Sequence, residues 1–232
     1  VALSSELTPE FREYERTVVT AFDAYVKPVV ARYLADMDRD LAKAGVTAPL
    51  QIMQSRGGLA GGEVARQRPV RLFLSGPAAG AIGGQAAGRE AGLDNLITID
   101  VGGTSSDIAL IDQGRVLVRS ETDIAGYQVR VPMLDVTTLG AGGGSIAWID
   151  TGGGLRVGPQ SAGADPGPAC YGRGGVEAAV TDASIVLGLL DPGFFIGGAM
   201  KLDASLSRTA VEEKVARPLG MSCELAAQGI HR

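Results

Sequence analysis

Histidine is almost missing from this sequence: His231, next to the last residue, is the only one in 232. A zinc site built on imidazoles and a Ser-His-Asp triad are therefore both nearly excluded within the chain. Cysteine is scarce too. Cys170 and Cys223 are the only two, and neither sits in a CxxC pair. No disulfide framework is written here, and a reducing, cytoplasmic compartment is expected. There is no basic surplus: 21 Lys and Arg face 26 Asp and Glu, a net charge of −5. That argues against a nucleic-acid partner, since little is left over to neutralise phosphates. No apolar run approaches the roughly 20 residues that span a bilayer, so no membrane partner is expected. An initiator Met and a signal-peptide pattern at Val1–Ser5 are also lacking, which reads as a processed chain or an excised piece.

What the sequence has in plenty is glycine, 34 residues of it, in short clusters between apolar runs. Such clusters mark tight turns and close backbone approaches rather than a linker. With 45% hydrophobic and 20% charged residues, the chain is long enough for one large or two modest globular domains. The text is mainly helical over 1–92, β-rich over 93–190 and helical again over 191–232. Thr8 and Pro9 form a helix start, and Phe11, Tyr14, Val18, Phe22 and Tyr25 continue at helical spacing to a stop at Gly45. Val70–Leu74 reads as a strand. A second helix is expected from Ser75 to about Ala91, with Gly80, Gly84 and Gly88 on one packed face. Leu96–Val101, Ile108–Ile111 and five later apolar runs read as short strands. Helices are expected again at Asp182–Leu190, Ser205–Ala216 and Ser222–Gln228. The class is a mixed α/β layer fold.

One turn carries candidate chemistry. An apolar strand ends on Asp100; Gly102-Gly103-Thr104 and Ser105-Ser106-Asp107 follow, and then another strand. This is strand, acid, Gly-Gly-Thr turn, strand, so it is neither a Walker loop nor a dinucleotide fingerprint. Two glycines let backbone N–H groups approach anionic oxygens. Thr104 and Ser105 add hydroxyl donors. Asp100 is placed to hold Mg²⁺ through water, with Asp107 as a further carboxylate. The competing reading is a hairpin turn that needs positive φ, with Asp100 only capping it. Asp150-Thr151-Gly152-Gly153-Gly154 imitates the motif and reads as an ordinary hairpin turn. Gly142, Gly143 and Gly144 follow an apolar strand and are either a nucleotide approach or a plain bulge.

Six stretches then carry a resemblance: MQSRGG at 53–58, SGPAAG at 75–80, DVGGTSSD at 100–107, GAGGGSIAWID at 140–150, VGPQSAGADPGPACYGRGG at 157–175 and TDASIVLG at 181–188. In order and spacing the chain resembles the hydantoinase A/oxoprolinase family over nearly its whole length. The resemblance implies one half of an actin/sugar-kinase-like (RNase H-like) ATPase fold plus flanking helices. It implies ATP and Mg²⁺ as cofactors and Asp100 and Thr104 as catalytic residues. It also implies nucleotide contacts from Gly102, Gly103, Thr104, Ser105, Asp107, Gly142, Gly143 and Gly144. The activity implied is ATP-dependent hydrolysis of a small cyclic amide of the hydantoin or 5-oxoproline type, with phosphorylation of the amide oxygen preparing the carbonyl for water. The alternatives are the ATP-using subunit of a ketone carboxylase and a non-catalytic structural module of the same fold. Implied partners are an N-terminal half bearing a first Asp-x-Gly-Gly-Thr loop, which this chain lacks, and a B-type subunit or domain in a hetero-oligomer. Arg56 stands where many relatives have Asn. Asp165 reads as a turn builder or a substrate or metal ligand, and Cys170 as a buried packing residue or a nucleophile.

Overall fold

The computed structural model describes every residue except Ala125. The chain forms two compact units: residues 1–98 with 108–137, and residues 99–107 with 138–232.

In the first unit, α1 (Ser4–Leu7) precedes the long α2 (Glu13–Lys43). The expected start at Thr8-Pro9 is displaced to Glu13. The Thr8 N–H closes α1 by donating to the Ser4 carbonyl, and Arg12, with φ 106°, turns the chain out of the helical path before α2 begins. The hairpin of β1 (Gln51–Met53) and β2 (Leu59–Gly61) leads into α3 (Gly62–Gln67). Arg56 is exposed in that hairpin's turn. The strand expected at Val70–Leu74 is a 3-10 turn, Pro69–Leu72. Proline at its start suits a helical turn, and the Val70 N–H is committed to the buried Asp23 carboxylate at 3.2 Å, so it is not free for a ladder. The glycine-rich α4 (Ser75–Glu90) follows.

The β-rich text forms strands, but Val116–Val118, expected as one strand, is divided between two short ones, and Thr122–Ile124 and Met133–Leu134 were not expected. Strands β3 (Leu96–Val101), β4 (Ser106–Asp112), β5 (Arg115–Val116), β6 (Val118–Arg119), β7 (Thr122–Ile124), β8 (Tyr127–Val129), β9 (Met133–Leu134) and β10 (Val136–Leu139) succeed one another. Within the four-stranded sheet the order is β10-β4-β3, with β5 also paired to β4. The first unit's core gathers Val18, Val19, Val70, Val129 and Met133, with a second cluster of Ala78, Ala81, Ala109 and Leu134.

The second unit pairs β11 (Ser145–Ile149) with β12 (Leu155–Ser161) and adds α5 (Val180–Val186), α6 (Ala204–Val211), α7 (Arg217–Leu219) and α8 (Cys223–His231). Asp203 caps α6, accepting from the Ser205 and Leu206 N–H groups. A π turn, Glu212–Ala216, interrupts the helix expected over 205–216. Small residues (Ala147, Ala178, Ala183, Ala226, Ala227) and Val211 and Val215 fill this core, which lets the helices approach closely. No helix among the described residues is long and apolar enough to cross a membrane.

Candidate functional site

The site is built around the turn between β3 and β4. Four residues join two hydrogen-bonded neighbours, too few for a parallel crossover, so the pair is an antiparallel hairpin. The Gly102 N–H donates to the Ser105 carbonyl at 2.8 Å and closes the turn. Among the described residues, the N–H groups of Gly103, Thr104 and Ser105 find no protein acceptor. Gly102, Gly103 and Thr104 are exposed. The turn therefore presents backbone donors to whatever lies in front of it.

Gly142, Gly143 and Gly144 back this turn from within the same unit. The Gly143 N–H donates to the Gly102 carbonyl at 3.0 Å, and the Gly144 N–H to the Gly103 carbonyl at 2.6 Å. The Gly142 N–H is taken by Ser145 Oγ at 2.9 Å. All three amides are thus committed to protein acceptors. A Cβ on Gly142 would stand 2.7 Å from the Gly102 carbonyl oxygen, and one on Gly144 2.9 Å from that of Gly103. Glycine is needed here because two backbones touch. Thr181 anchors the loop from behind: its N–H and its hydroxyl both donate to the Gly143 carbonyl, at 2.7 and 2.8 Å.

The two faces of the hairpin differ. Counting outward from the 102/105 bond along an unbroken ladder sets Asp100 opposite Asp107, on one face. Asp100 is exposed, and among the described residues its carboxylate accepts no hydrogen bond and joins no ion pair. Asp107 accepts from the Thr138 hydroxyl at 2.6 Å. Two facing carboxylates repel, and a cation held between them would offset that repulsion. The donor set fits Mg²⁺, which takes one or two carboxylates and keeps its remaining places for water and phosphate.

Val101, pointing the other way along the pleat, lines a cavity of about 440 Å³ with Gly103, Gly143, Thr181, Phe195 and His231. There His231 Nε2 lies 3.0 Å from Ser184 Oγ. The Ser184 hydroxyl also reaches the Val180 carbonyl at 2.9 Å, the back-bond to residue i−4 that a helical serine commonly makes.

The look-alike turn at 150–154 is put together differently. Asp150 accepts from the Gly152 and Gly154 N–H groups at 3.0 and 2.8 Å, and from Arg156 Nε at 2.8 Å. The Gly154 N–H, followed by the Arg156 guanidinium, holds its carboxyl below the usual range. This aspartate is used up in bracing its own hairpin.

Asp182 is the strongest polar feature that sequence reading missed. It is wholly buried and accepts from the N–H groups of Ala169, Cys170 and Ala179, at 3.2, 2.9 and 3.0 Å, and from the Ser207 hydroxyl at 2.8 Å. Burial, with the Asp182 charge beside it, pushes the Cys170 thiol up to about 12. Cys170 is a buried, protonated packing residue in this environment. Asp165 is exposed in the turn before it. Ser161 and Thr138 also reach the site unforeseen. Ser161 and Thr181 lie in two of the six stretches singled out in the sequence, but only the fold shows that they meet Thr104 and Gly143.

The family model described as hydantoinase/oxoprolinase matches residues 16–232. The chain belongs to the hydantoinase/oxoprolinase family. It is 47% identical to caprolactamase subunit alpha of Pseudomonas jessenii, over 99% of this chain and 33% of that one. The crystal structure of the ATP-dependent caprolactamase from that organism superposes with a TM-score of 0.80. A nucleotide-free acetone carboxylase, solved in work on ATP-dependent acetone carboxylation, gives a TM-score of 0.85 at 32% identity, over 98% of this chain and 32% of that one. 5-Oxoprolinase 1 of Arabidopsis thaliana is 42% identical over 92% of this chain and 17% of that one. The chain spans about a third or less of the length of these hydantoinase/oxoprolinase relatives.

Proposed function

We propose that this chain supplies one side of the nucleotide site of an ATP-dependent enzyme that opens a small cyclic amide. The observation that carries the reading is the contrast between two Asp-x-Gly-Gly turns. Asp150 is consumed by its own hairpin, whereas among the described residues Asp100 and the amides of Gly103, Thr104 and Ser105 have no partner. In this reading those amides and the Thr104 and Ser105 hydroxyls hold phosphoryl oxygens. Gly102 and Gly103 keep the backbone clear for close approach. Asp100 orients Mg²⁺ through water, and Asp107, steadied by Thr138, completes the carboxylate face. Mg²⁺ would neutralise the charge on the phosphates and align them for transfer. Gly142, Gly143 and Gly144 support the nucleotide from behind the turn rather than by amide contacts.

The strand–turn–strand setting suits half of an actin/sugar-kinase-like ATPase. The companions in this reading are a region with the first phosphate loop and a B-type subunit or domain, in the cytoplasm. A caprolactamase and a 5-oxoprolinase among the relatives support lactam opening. The acetone carboxylase superposition, with the higher TM-score of 0.85, supports a second reading: the ATP-using subunit of a ketone carboxylase. A structural module without chemistry is disfavoured by the free Asp100.

The test uses the natural full-length protein with its partners. ATP turnover is compared with caprolactam, 5-oxoproline or a hydantoin, and with acetone or acetophenone plus bicarbonate. Asp100→Asn should lower lactam-dependent turnover by roughly two orders of magnitude or more with the fold intact, because a metal-binding charge is lost. Asp150→Asn should leave it nearly unchanged. Equal effects of the two variants would remove the basis for the reading. Turnover with ketone and bicarbonate alone would select the carboxylase.

A further inference from the structure

Beside the Gly-Gly-Thr turn stands a hydroxyl from another element. Ser161 ends β12, and its Oγ lies 3.5 Å from Thr104 Oγ1. That is long for a hydroxyl–hydroxyl bond, whose usual separation is about 2.7–2.8 Å. Ser161 Oγ already accepts from the Gly163 N–H at 3.1 Å. Its proton has no closer acceptor among the described residues, and the same holds for Thr104. Two hydroxyls thus sit side by side, each with a proton to give.

The placement is built into the backbone. The Ala162 N–H donates to the Gly144 carbonyl at 2.8 Å, and the Gly144 N–H donates to the Gly103 carbonyl. Ser161 is therefore tied to the turn through a single residue. A Cβ on Gly144 would come within 2.9 Å of Ser161 Oγ, so glycine at that position is what lets the hydroxyl approach. The amides of Gly103, Thr104 and Ser105 open on the same turn, so donors gather around Thr104, and among the described residues these amides have no acceptor.

We infer that Ser161 is a further binding residue of this site, its hydroxyl and that of Thr104 donating together to one phosphoryl oxygen of a nucleoside triphosphate. This rests on the phosphate-turn reading above. An oxygen between the two hydroxyls satisfies both donors at once, and the Gly163 N–H takes only a lone pair of Ser161 Oγ, leaving its proton to give.

The experiment measures the KM for ATP, ATP binding by calorimetry and thermal melting in the natural full-length protein. Ser161→Ala should raise the KM for ATP about tenfold, as expected for losing a hydrogen bond to a charged group, with melting little changed. Ser161→Asp still accepts from the Gly163 N–H but sets a negative charge against the phosphate, so it should bind ATP more weakly than the alanine variant. A wild-type KM in Ser161→Ala overturns the inference. So does recovery in Ser161→Asp, which would make Ser161 only a brace for Gly163. Should the alanine variant fail to fold, Ser161→Asn against Ser161→Asp decides, since both keep the acceptor. Much weaker ATP binding by the aspartate supports the inference, and equal binding overturns it. Wild-type protein that binds no ATP overturns the phosphate-turn reading and this inference with it, which separates the two failures.

Discussion

Asp182 ties the start of its own helix to a turn 12–13 residues before it and to a helix 25 residues after it. Its carboxylate takes the Ala169 and Cys170 amides from the Pro-rich turn, the Ala179 amide at the start of α5, and the Ser207 hydroxyl from α6. All of this happens at zero solvent exposure. Replacing it with alanine leaves those donors buried without an acceptor, which costs far more than the bonds themselves contribute. Asp182→Ala should lose roughly 3–5 kcal/mol of stability in a denaturant titration. Asp182→Asn should recover only part, because an amide nitrogen then faces backbone N–H donors. A loss under ~1 kcal/mol for the alanine variant would show that water or a rearranged turn replaces the carboxylate. None of this was legible in the sequence. TDAS at 181–184 stood out as a motif, but a carboxylate's partners at 169, 170 and 207 are set by tertiary structure.

At the scale of elements, α4 separates what helix propensity asks from what packing asks. Gly80, Gly84 and Gly88 were read as a packed face; Gly84 and Gly88 behave so, whereas Gly80 is exposed. A Cβ on Gly84 would fall 2.2 Å from Thr98 Cγ2, and one on Gly88 2.5 Å from Leu96 Cδ2. Gly83, one residue away, has nothing within 4 Å. Gly83→Ala should therefore stabilise the protein by about 1 kcal/mol, the propensity gain alone. Gly84→Ala should destabilise it by about 1–3 kcal/mol, because the β-branched Thr98 on β3 has little freedom to yield. Thermal melting of the two single variants checks both signs, and the same sign for both would refute the packing account. Strands β3 and β4 and their turn were legible from apolar runs broken by glycine. The start of α2 was not. Thr8-Pro9 has the composition of a helix start, yet Ser4–Leu7 claims Thr8 for its own closing bond. The strand expected at Val70–Leu74 was lost because Asp23, far back on α2, takes the Val70 amide. Local text cannot report a distant acceptor.

At the scale of the molecule, every residue proposed for phosphate contact lies within residues 99–107 and 138–232, one compact unit. The sequence contains a single Asp-x-Gly-Gly-Thr turn, and Gly102, Gly103, Thr104 and Asp100 are open to solvent in it. Phosphoryl transfer depends mainly on positioning and on stabilising charge, so a triphosphate needs donors on both sides. Held from one side, it stays in water, where each charge contact is worth several-fold less than in a closed site. The 232-residue chain by itself should then bind ATP and Mg²⁺ too weakly for calorimetry at micromolar concentrations. It should release no phosphate in response to caprolactam, 5-oxoproline or a hydantoin. The natural full-length protein, assembled with its partners, should do both. Because the isolated chain keeps its turn and its Asp182 hub, its failure should come with a cooperative melt rather than with unfolding. Low-micromolar ATP affinity in the isolated chain, or any ring-dependent phosphate release from it, would mean that this unit closes the phosphate site alone. The proposal that a second loop from elsewhere completes the site would then have to be dropped.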